Sequence, residues 1–495
     1  LKQPSDIFHP PNLSLLTNLF HLDKMYRNSL LVVVTLFITV CGLVKLGYRF
    51  RFSCLQYIPE PITILLIGVI FGNIANYCNV ELKYFNDRTF FVVFLPPIIF
   101  EAVLHLQKHY FLRNLLVILL FGFVGTLFVF LLISCGLWLI ICLFPSVLGN
   151  WTPRPVAFFL FATLVSSVDS VIIIGILGEM RVHPSLYFIF VGESIINDGV
   201  TLVLFDFIYS ISCTDEVKLN SFKLSIFGFI VLIVKFLGSC LLGAIVGSMT
   251  SFLTKYTYKY TMIEPLIVLS AGYLAYLIDF GISWPGVFSL LVFGLIQTTY
   301  TFENISVKSF ITIKRLAHMT AAVSESLIFL SIGYTLVIHK QVWNAKFIAI
   351  SLVLCTLSRF LVVYFLSSLA NFFHWMGKPI TKTMKFVIAF CGLRGALSHS
   401  LVEIIDPRCL QRVGVNPAMY QTTTVFITFF AIVIIGAFLR PLLHIFQMRI
   451  EKQPLSLFVT VNEEVMHKTI SAIEDITGLS GSGILEASLR KFDER

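Results

Sequence analysis

The stretch FVGESIINDGVTLV, residues 190–203, places the polar side chains of Glu193, Asn197 and Asp198 inside an otherwise apolar run. A carboxylate in such a run has two low-energy options: it binds a proton, or it binds a small hard cation through oxygen. It can hardly do both at once. This mutual exclusion predicts that Asp198 exchanges one proton for one monovalent cation. The plainer interpretation is a permanently protonated, hydrogen-bonded Asp.

Helix geometry gives the two acids of this stretch different roles. Glu193 and Asn197 share a helix face, whereas Asp198 points roughly 140° away from Glu193. A buried carboxylate can be held by an arginine of comparable depth, and Arg359 lies in the apolar run SLVLCTLSRFLVVYF. We therefore predict a structural ion pair between Glu193 and Arg359, which leaves Asp198 for the transported ions.

A third acid, Asp169, lies among the serines Ser166, Ser167 and Ser170 in the run ATLVSSVDSVIII. We expect the helix to unwind there and to expose half-helix N-termini, which carry positive partial charge. Asp169 would offset these dipoles and add an oxygen to the cation shell. The predicted ion-binding and proton-carrying residues are Asp198, Asn197, Asp169 and Ser166, with Asp198 and Asp169 as the ligands of the metal cation.

Arg394, in the run FCGLRGALSHSL, is the positively charged counterpart of Asp169. We predict that it compensates the helix C-terminal carbonyls of a second broken helix, because Gly392 and Gly395 permit an interrupted backbone on either side of it. The alternative is an arginine that reaches the membrane surface from a helix end.

The elements that position these residues must lie in a membrane. Of 495 residues, 57% are hydrophobic and 13% are charged, with a mean hydropathy of +0.88. One bilayer-spanning helix takes about 20 apolar residues. We predict an all-α polytopic membrane protein whose apolar segments are 28–47, 57–76, 89–106, 114–144, 156–178, 187–211, 222–253, 261–279, 284–299, 311–338, 346–373, 384–405 and 418–447.

These thirteen segments divide as inverted repeats of six around one, so the fifth matches the twelfth. Both break their apolar run at mid-depth with small polar residues and one charge, which predicts crossed broken helices. The predicted domains are an extracellular segment 1–27, a transmembrane domain 28–447 and the start of a cytoplasmic tail at 448–495. The first residue is Leu and the last stretch ends among charges, so we expect a piece of a longer chain.

Loop charges predict the orientation in the membrane. With the N-terminus outside, the inward loops carry more Lys and Arg than the outward loops, which favours a cytoplasmic C-terminus. The glycosylation sequons at Asn12 and Asn150 then lie outside, whereas the one at Asn304 lies inside. We predict that membrane lipids surround the transmembrane segments.

Composition also excludes several kinds of partner and site. The ten cysteines show no CxxC and no His/Cys ligand spacing, so we interpret most of them as small packing residues and predict no cofactor. The net charge of +9 comes mostly from loops and helix ends, where membrane topology places basic residues, so no nucleic-acid partner is predicted.

Other classes of membrane protein fit less well. An intramembrane aspartyl protease would also use two transmembrane acids, but Asp169 in SVDS and Asp198 in INDG lack a GxGD frame. A voltage-gated channel would show Arg at every third position of one helix, and a primary pump would need a nucleotide motif such as GxxxxGK[ST]. We therefore predict a secondary transporter and not an enzyme.

The sequence resembles the animal sodium/proton exchangers of the cation/proton antiporter superfamily, in family order from about residue 60 to 478. The matching stretches are FLPPIIFEA (94–102), FVGT (123–126), SSVDSV (166–171), GESIINDGVTLVLF (192–205), IEPL (263–266), VSESLIF (323–329), LSRFL (357–361), CGLRGALSHSL (391–401), VNEEV (461–465) and AIEDITG (472–478).

The resemblance implies a homodimer with thirteen helices per protomer and a mobile core that moves like an elevator. It places the acid of the family's Asn-Asp pair at Asp198, and Asn197 marks the electroneutral branch. It implies exchange of one extracellular Na⁺ or Li⁺ for one intracellular H⁺ at the plasma membrane, with control of intracellular pH, so Na⁺ would be the metal cation that Asp198 and Asp169 bind. An organellar K⁺(Na⁺)/H⁺ exchanger is the alternative. A calcineurin-B-like calcium-binding subunit would bind the tail near Leu485.

The family pattern assigns the crossing-helix acid to Asp169, the ion pair to Glu193 and Arg359, and the crossing arginine to Arg394. Two positions depart from it. Ser170 stands where the family usually has Pro, so the helix break depends on other residues. His399 stands where an apolar or aromatic residue is usual, and it is either a satisfied polar His or a proton-sensitive group.

Overall fold

In the computed structural model the chain folds into helices, and the part of the chain that the structure describes contains no strand. Outside the described ranges lie the first predicted segment, the N-terminal 27 residues and the tail from 448 onward, apart from isolated positions. The described ranges are residues 60–77, 90–106, 108–144, 153–168, 184–213, 221–257, 262–338, 341–373, 379–392 and 395–446.

The first half of the described chain forms six helices. A π-helical turn, Phe90–Phe94, leads into the second of them, and another, Leu120–Gly125, lies within the fourth. The helices are α1 Glu60–Tyr77, α2 Leu95–Leu104, α3 Lys108–Arg113, α4 Leu115–Leu143, α5 Pro155–Ser166 and α6 Pro184–Cys213.

The second half contains four long helices, several shorter ones, one broken segment and a long final helix. Further π-helical turns follow α9 at Gln297–Thr301 and interrupt the final helix at Ala431–Ile435. The helices are α7 Ser221–Thr254, α8 Ile263–Gly281, α9 Gly286–Ile296, α10 Val307–Ile338, α11 Ala345–Phe372, α12 Lys382–Phe390, α13 Ala396–Ile404, α14 Pro407–Arg412 and α15 Pro417–Ile445.

Among the described helices, seven are long and apolar enough to cross a membrane: α4, α6, α7, α8, α10, α11 and α15. Such helices satisfy every backbone polar group internally, which a bilayer demands. Each predicted segment from the second to the thirteenth overlaps at least one described helix. The all-α polytopic membrane fold is therefore confirmed, whereas the count of thirteen and the repeats stay predictions.

The predicted interruption of the twelfth segment is present, and a helix ends where the fifth segment was predicted to break. Helix α5 ends at Ser166, and Ser167 has the extended backbone angles φ −62° and ψ 136°. In the twelfth segment α12 ends at Phe390 and α13 begins only at Ala396. The predicted site residues Asp169 and Arg394 lie outside the described residues, next to these two breaks.

The helices pack in three groups. Helix α10 runs along α1 and α2, and two glycines allow its backbone to approach α1 closely. A Cβ atom on Gly68 would lie 2.3 Å from the carbonyl oxygen of Leu330. Helices α7, α8 and α9 pack together, while α4, α5, α6 and α11 form the bundle that carries the polar residues.

Candidate ion-binding site

Asp198 lies on α6 at a position that is only partly buried. Its Oδ1 accepts a hydrogen bond from the hydroxyl of Ser167, at 2.8 Å. Ser167 is the first residue after α5, so the early end of that helix brings its side chain to α6. A carboxylate and a hydroxyl oxygen at this separation are the kind of hard ligands that alkali and alkaline-earth cations take.

Asn197 is buried beside Asp198 and lies against two hydroxyl groups. Its Oδ1 lies 2.9 Å from Oγ1 of Thr126 and 3.3 Å from Oγ1 of Thr201. Oγ1 of Thr126 also lies 2.6 Å from the carbonyl oxygen of Gly122, so its single proton has two acceptors. Asn197 thus adds no charge to the site, and its contact with Thr126 joins α6 to α4.

Ser166, predicted as an ion ligand, is the last residue of α5, and its hydroxyl has contacts that differ from those of Ser167. Its hydroxyl donates to the carbonyl oxygen of Thr163 at 3.0 Å, and it lies 3.4 Å from Oγ1 of Thr201. The structure therefore places Ser166 against the hydroxyls around Asn197. That Ser166 binds the ion directly stays a prediction.

Glu193 and Arg359 form a buried ion pair through Oε1 and Nη1. Their side chains are only 3% and 5% exposed, and Arg359 also donates from Nη2 to the carbonyl oxygen of Ile388, at 3.4 Å. A Cβ atom on Gly392 would lie 2.6 Å from Cγ of Arg359, so the glycine makes room for the arginine. The pair joins α6 to α11 and contacts the end of α12, beside the second break.

Sequence reasoning missed three partners of Asn197 and Asp198, namely Ser167, Thr126 and Thr201. Thr201 could have been found, because it follows Asn197 by one helical turn and shares its face. Thr126 could not, because its contact depends on how α4 packs on α6. Within the described residues no group of three or more His, Cys, Asp or Glu side chains could hold a metal ion.

The sequence model for the transmembrane domain of sodium/hydrogen exchangers matches residues 33–445. The chain belongs to the sodium/hydrogen exchanger family. Its family and fold are those of a cation/proton antiporter, which is a transporter and not an enzyme.

Curated exchangers are similar to most of this chain. Na⁺/H⁺ exchanger protein 7 of Caenorhabditis elegans is 30% identical over 472 residues, which cover 93% of this chain and 58% of that protein. Na⁺/H⁺ exchanger beta of Oncorhynchus mykiss is 29% identical, with 97% and 61% covered. The chain thus spans about three fifths of the length of these relatives.

The fold is similar to that of the sodium proton antiporter MjNhaP1 from Methanocaldococcus jannaschii, whose structure was solved at pH 8. The TM-score is 0.61, and the match covers 84% of this chain and 97% of the antiporter. The identity is 16%, so this likeness concerns the fold alone.

His399 of this exchanger lies on α13, where it is buried against α10. Its Nε2 lies 3.1 Å from Oγ1 of Thr335. That hydroxyl is also 3.0 Å from the carbonyl oxygen of Ser331, an acceptor for its proton, which favours the tautomer of His399 that donates from Nε2. The structure thus gives His399 a polar partner, and proton sensing by this residue stays a prediction.

Two of the cysteines are more than packing residues. Cys213, the last residue of α6, forms a disulfide with Cys409 in α14. The same end of α6 is held by two further contacts: Arg412 donates to the carbonyl oxygen of Cys213 at 3.0 Å, and the N–H of Asp406 donates to the hydroxyl of Tyr209 at 3.2 Å. The sequence did not predict this pair, because a sequence separation of 196 residues hides the proximity.

Proposed function

We propose that this chain exchanges one extracellular Na⁺ or Li⁺ for one intracellular H⁺ and thereby regulates intracellular pH. The observation that carries the proposal is the contrast between two acids of α6. Glu193 is committed to Arg359 in a buried pair, whereas Asp198 is partly accessible and accepts from the neutral hydroxyl of Ser167. Of these two acids of α6, we infer that Asp198 is the one that exchanges a proton for a cation.

Asn197 supports a one-for-one exchange. A carboxamide neither gains nor loses a proton at neutral pH, so the Asn197–Asp198 pair has a single titratable group. A site with one such group carries one positive charge in each direction, either H⁺ or Na⁺. The net charge moved in a full cycle is then zero, and the membrane potential does not drive it.

We propose that Asp169 and Ser166 complete the Na⁺ site around Asp198, and that Arg394 compensates the broken helix ends. The described C-terminal end of α12 supports the role of Arg394, which follows it in the chain, whereas the described helix end before Asp169 is the C-terminus of α5, so the role of Asp169 stays a prediction from the sequence. Anions are favoured at helix N-termini and cations at C-termini.

We further propose the family's wider architecture for this chain. It comprises thirteen transmembrane helices in inverted repeats, a homodimer surrounded by membrane lipids, and an elevator motion of the bundle that contains α6. A calcineurin-B-like subunit would bind the cytoplasmic tail. The breaks in the fifth and twelfth segments support the repeat, since they fall at matching positions of the two halves.

A transport assay tests the exchange. The protein is reconstituted in acid-loaded vesicles, and proton efflux is followed with a pH-sensitive dye after Na⁺, Li⁺ or K⁺ is added outside. We expect efflux with Na⁺ or Li⁺, at a rate that does not change when the membrane potential is clamped at different values. Efflux with K⁺ alone would support the organellar potassium exchanger instead. No efflux with any of the three cations would reject the proposal.

We propose that the N-terminus is outside and the C-terminus is cytoplasmic, in the plasma membrane. This orientation puts both Cys213 and Cys409 on the extracytoplasmic side. Disulfides persist in oxidising compartments and are rare where cytosolic thiols keep cysteines reduced, so the Cys213–Cys409 bond supports this orientation.

Thiol labelling checks the orientation. In intact cells expressing the Cys409→Ser variant, we expect a membrane-impermeant maleimide to label Cys213, because its partner is gone and it faces outward. In the unchanged protein the same site should label only after an impermeant reductant is added. The control is Cys213→Ser with Cys409→Ser, which should lose this labelling. Labelling that needs permeabilised cells would place this face in the cytoplasm.

A further inference from the structure

One accessible ridge of α6 leads from Asp198 to the Cys213 end of the helix. Asp198, Leu202, Asp206 and Ser210 follow one another at four-residue spacing, and each is at least partly exposed. The residues between the first three are buried. Side chains four apart form a continuous ridge on a helix. Asp206 therefore lies on the same open face as Asp198, nearer to the membrane surface at the Cys213 end.

Asp206 is paired with Lys235 of α7. The Lys235 ammonium nitrogen lies 2.5 Å from Oδ2 of Asp206, in a contact between α6 and the neighbouring helix. The lysine side chain is 17% exposed, whereas the aspartate side chain is 51% exposed. The Asp206 carboxylate is thus exposed on one side, while the Lys235 ammonium group on its other side offsets its charge.

We propose that Asp206 is a recruiting site for the transported cation on the route between the Cys213 end of α6 and Asp198, and that Lys235 sets its strength. This inference rests on the proposed function of Asp198. Eight residues of α-helix separate the two acids by about 12 Å along the axis. The ion pair offsets the Asp206 charge, so a cation on the route feels a weak attraction.

The competing interpretation is structural: the pair only holds α6 against α7. The aromatic contact of Phe207 with Phe227, at 6.3 Å between ring centroids, joins the same two helices. A purely structural pair would lose folded protein when either partner is removed. A recruiting site instead gives effects of opposite sign, because removing the carboxylate leaves a positive charge and removing the ammonium leaves a negative one.

The test measures the KM for Na⁺ applied at the Cys213 face, in vesicles whose orientation is set by thiol labelling. At about 12 Å, one unbalanced charge in a partly aqueous setting changes cation affinity by roughly two- to tenfold. We expect Asp206→Asn to raise the KM by this factor and Lys235→Met to lower it. The double variant should have a KM below that of Asp206→Asn but still above the original, because it lacks both the repelling ammonium and the attracting carboxylate, and all shifts should shrink at high ionic strength.

The matched control is Ser248→Ala, a neutral change at an exposed position of α7 away from the ridge, which should leave the KM unchanged. Shifts of the same sign, or unchanged KM values with only less folded protein, would overturn the inference. If Lys235→Met yields no folded protein, the KM values of Asp206→Asn and of the double variant can still be compared. A higher KM for Asp206→Asn supports the inference, and equal values overturn it. Absence of exchange in the unchanged protein would reject the proposed function itself, whereas exchange with an unmoved KM rejects only the recruiting site.

Discussion

Replacing Asp198 with Asn is expected to abolish cation-driven proton efflux, by at least about a hundredfold, because the amide can neither release a proton nor supply a negatively charged ligand. The shape of the side chain is nearly unchanged, and the hydroxyl of Ser167 can still donate to the amide oxygen. Folding should therefore survive. Vesicle efflux with Na⁺ or Li⁺ outside measures the loss, and size-exclusion chromatography with thermal unfolding measures the fold.

Two control variants sharpen this result. Asp198→Glu keeps the charge but moves it by one methylene, so we expect exchange to persist with a changed KM. Thr201→Val removes a hydroxyl near Asn197 without touching a charge, so exchange should continue at a reduced rate. Flux that continues in a well-folded Asp198→Asn variant would remove this carboxylate from the mechanism.

The helical segments could be predicted because apolar runs long enough to cross a bilayer leave few alternatives. The predicted sixth segment, 187–211, lies within the observed α6 Pro184–Cys213. The interruption after Ser166 was also predictable, since serines and a charge replace the apolar residues there. The exact position where Ser167 turns toward Asp198 was not, because it depends on the packing of α5 against α6.

Some contacts between distant parts of the chain could be predicted from the sequence, and others could not. A charge inside an apolar run needs a countercharge, so Arg359 could be proposed for Glu193 from composition alone, and the structure places the two together. A cysteine or a threonine in such a run carries no comparable demand. This is why the disulfide of Cys213 and the contact of Thr126 with Asn197 were not predicted.

The Asp206–Lys235 pair could be predicted only in part. Asp206 lies near the end of the predicted segment 187–211 and Lys235 lies inside the segment 222–253, and the sequence alone assigns neither of them a partner. The four-residue ridge that gives Asp206 its place next to the route from Asp198 depends on which face of α6 the bundle leaves open. The exposed face of α6 depends on how the neighbouring helices pack against it, and the periodicity of the sequence does not predict that packing.

Breaking the Glu193–Arg359 pair should cause the largest loss of stability among single substitutions near the site. Arg359→Met leaves the Glu193 carboxylate buried at 3% exposure without its countercharge. Removing one partner of a buried ion pair typically costs about 3–5 kcal/mol, most of it the burial of the remaining charge. We expect little monodisperse protein, and a strongly lowered unfolding temperature for the fraction that folds.

A double-mutant cycle separates this structural role from a role in transport. Glu193→Gln and Arg359→Met should each destabilise the protein, whereas the combined variant should lose much less than the sum, because no unpaired charge remains. Unfolding temperatures in detergent measure the coupling, and Ser210→Ala on the same helix is the neutral control. Additive losses would mean that the two side chains do not stabilise each other. If Glu193→Gln instead folds normally but transports nothing, Glu193 itself handles the proton or the cation, and Asp198 is not the sole carrier.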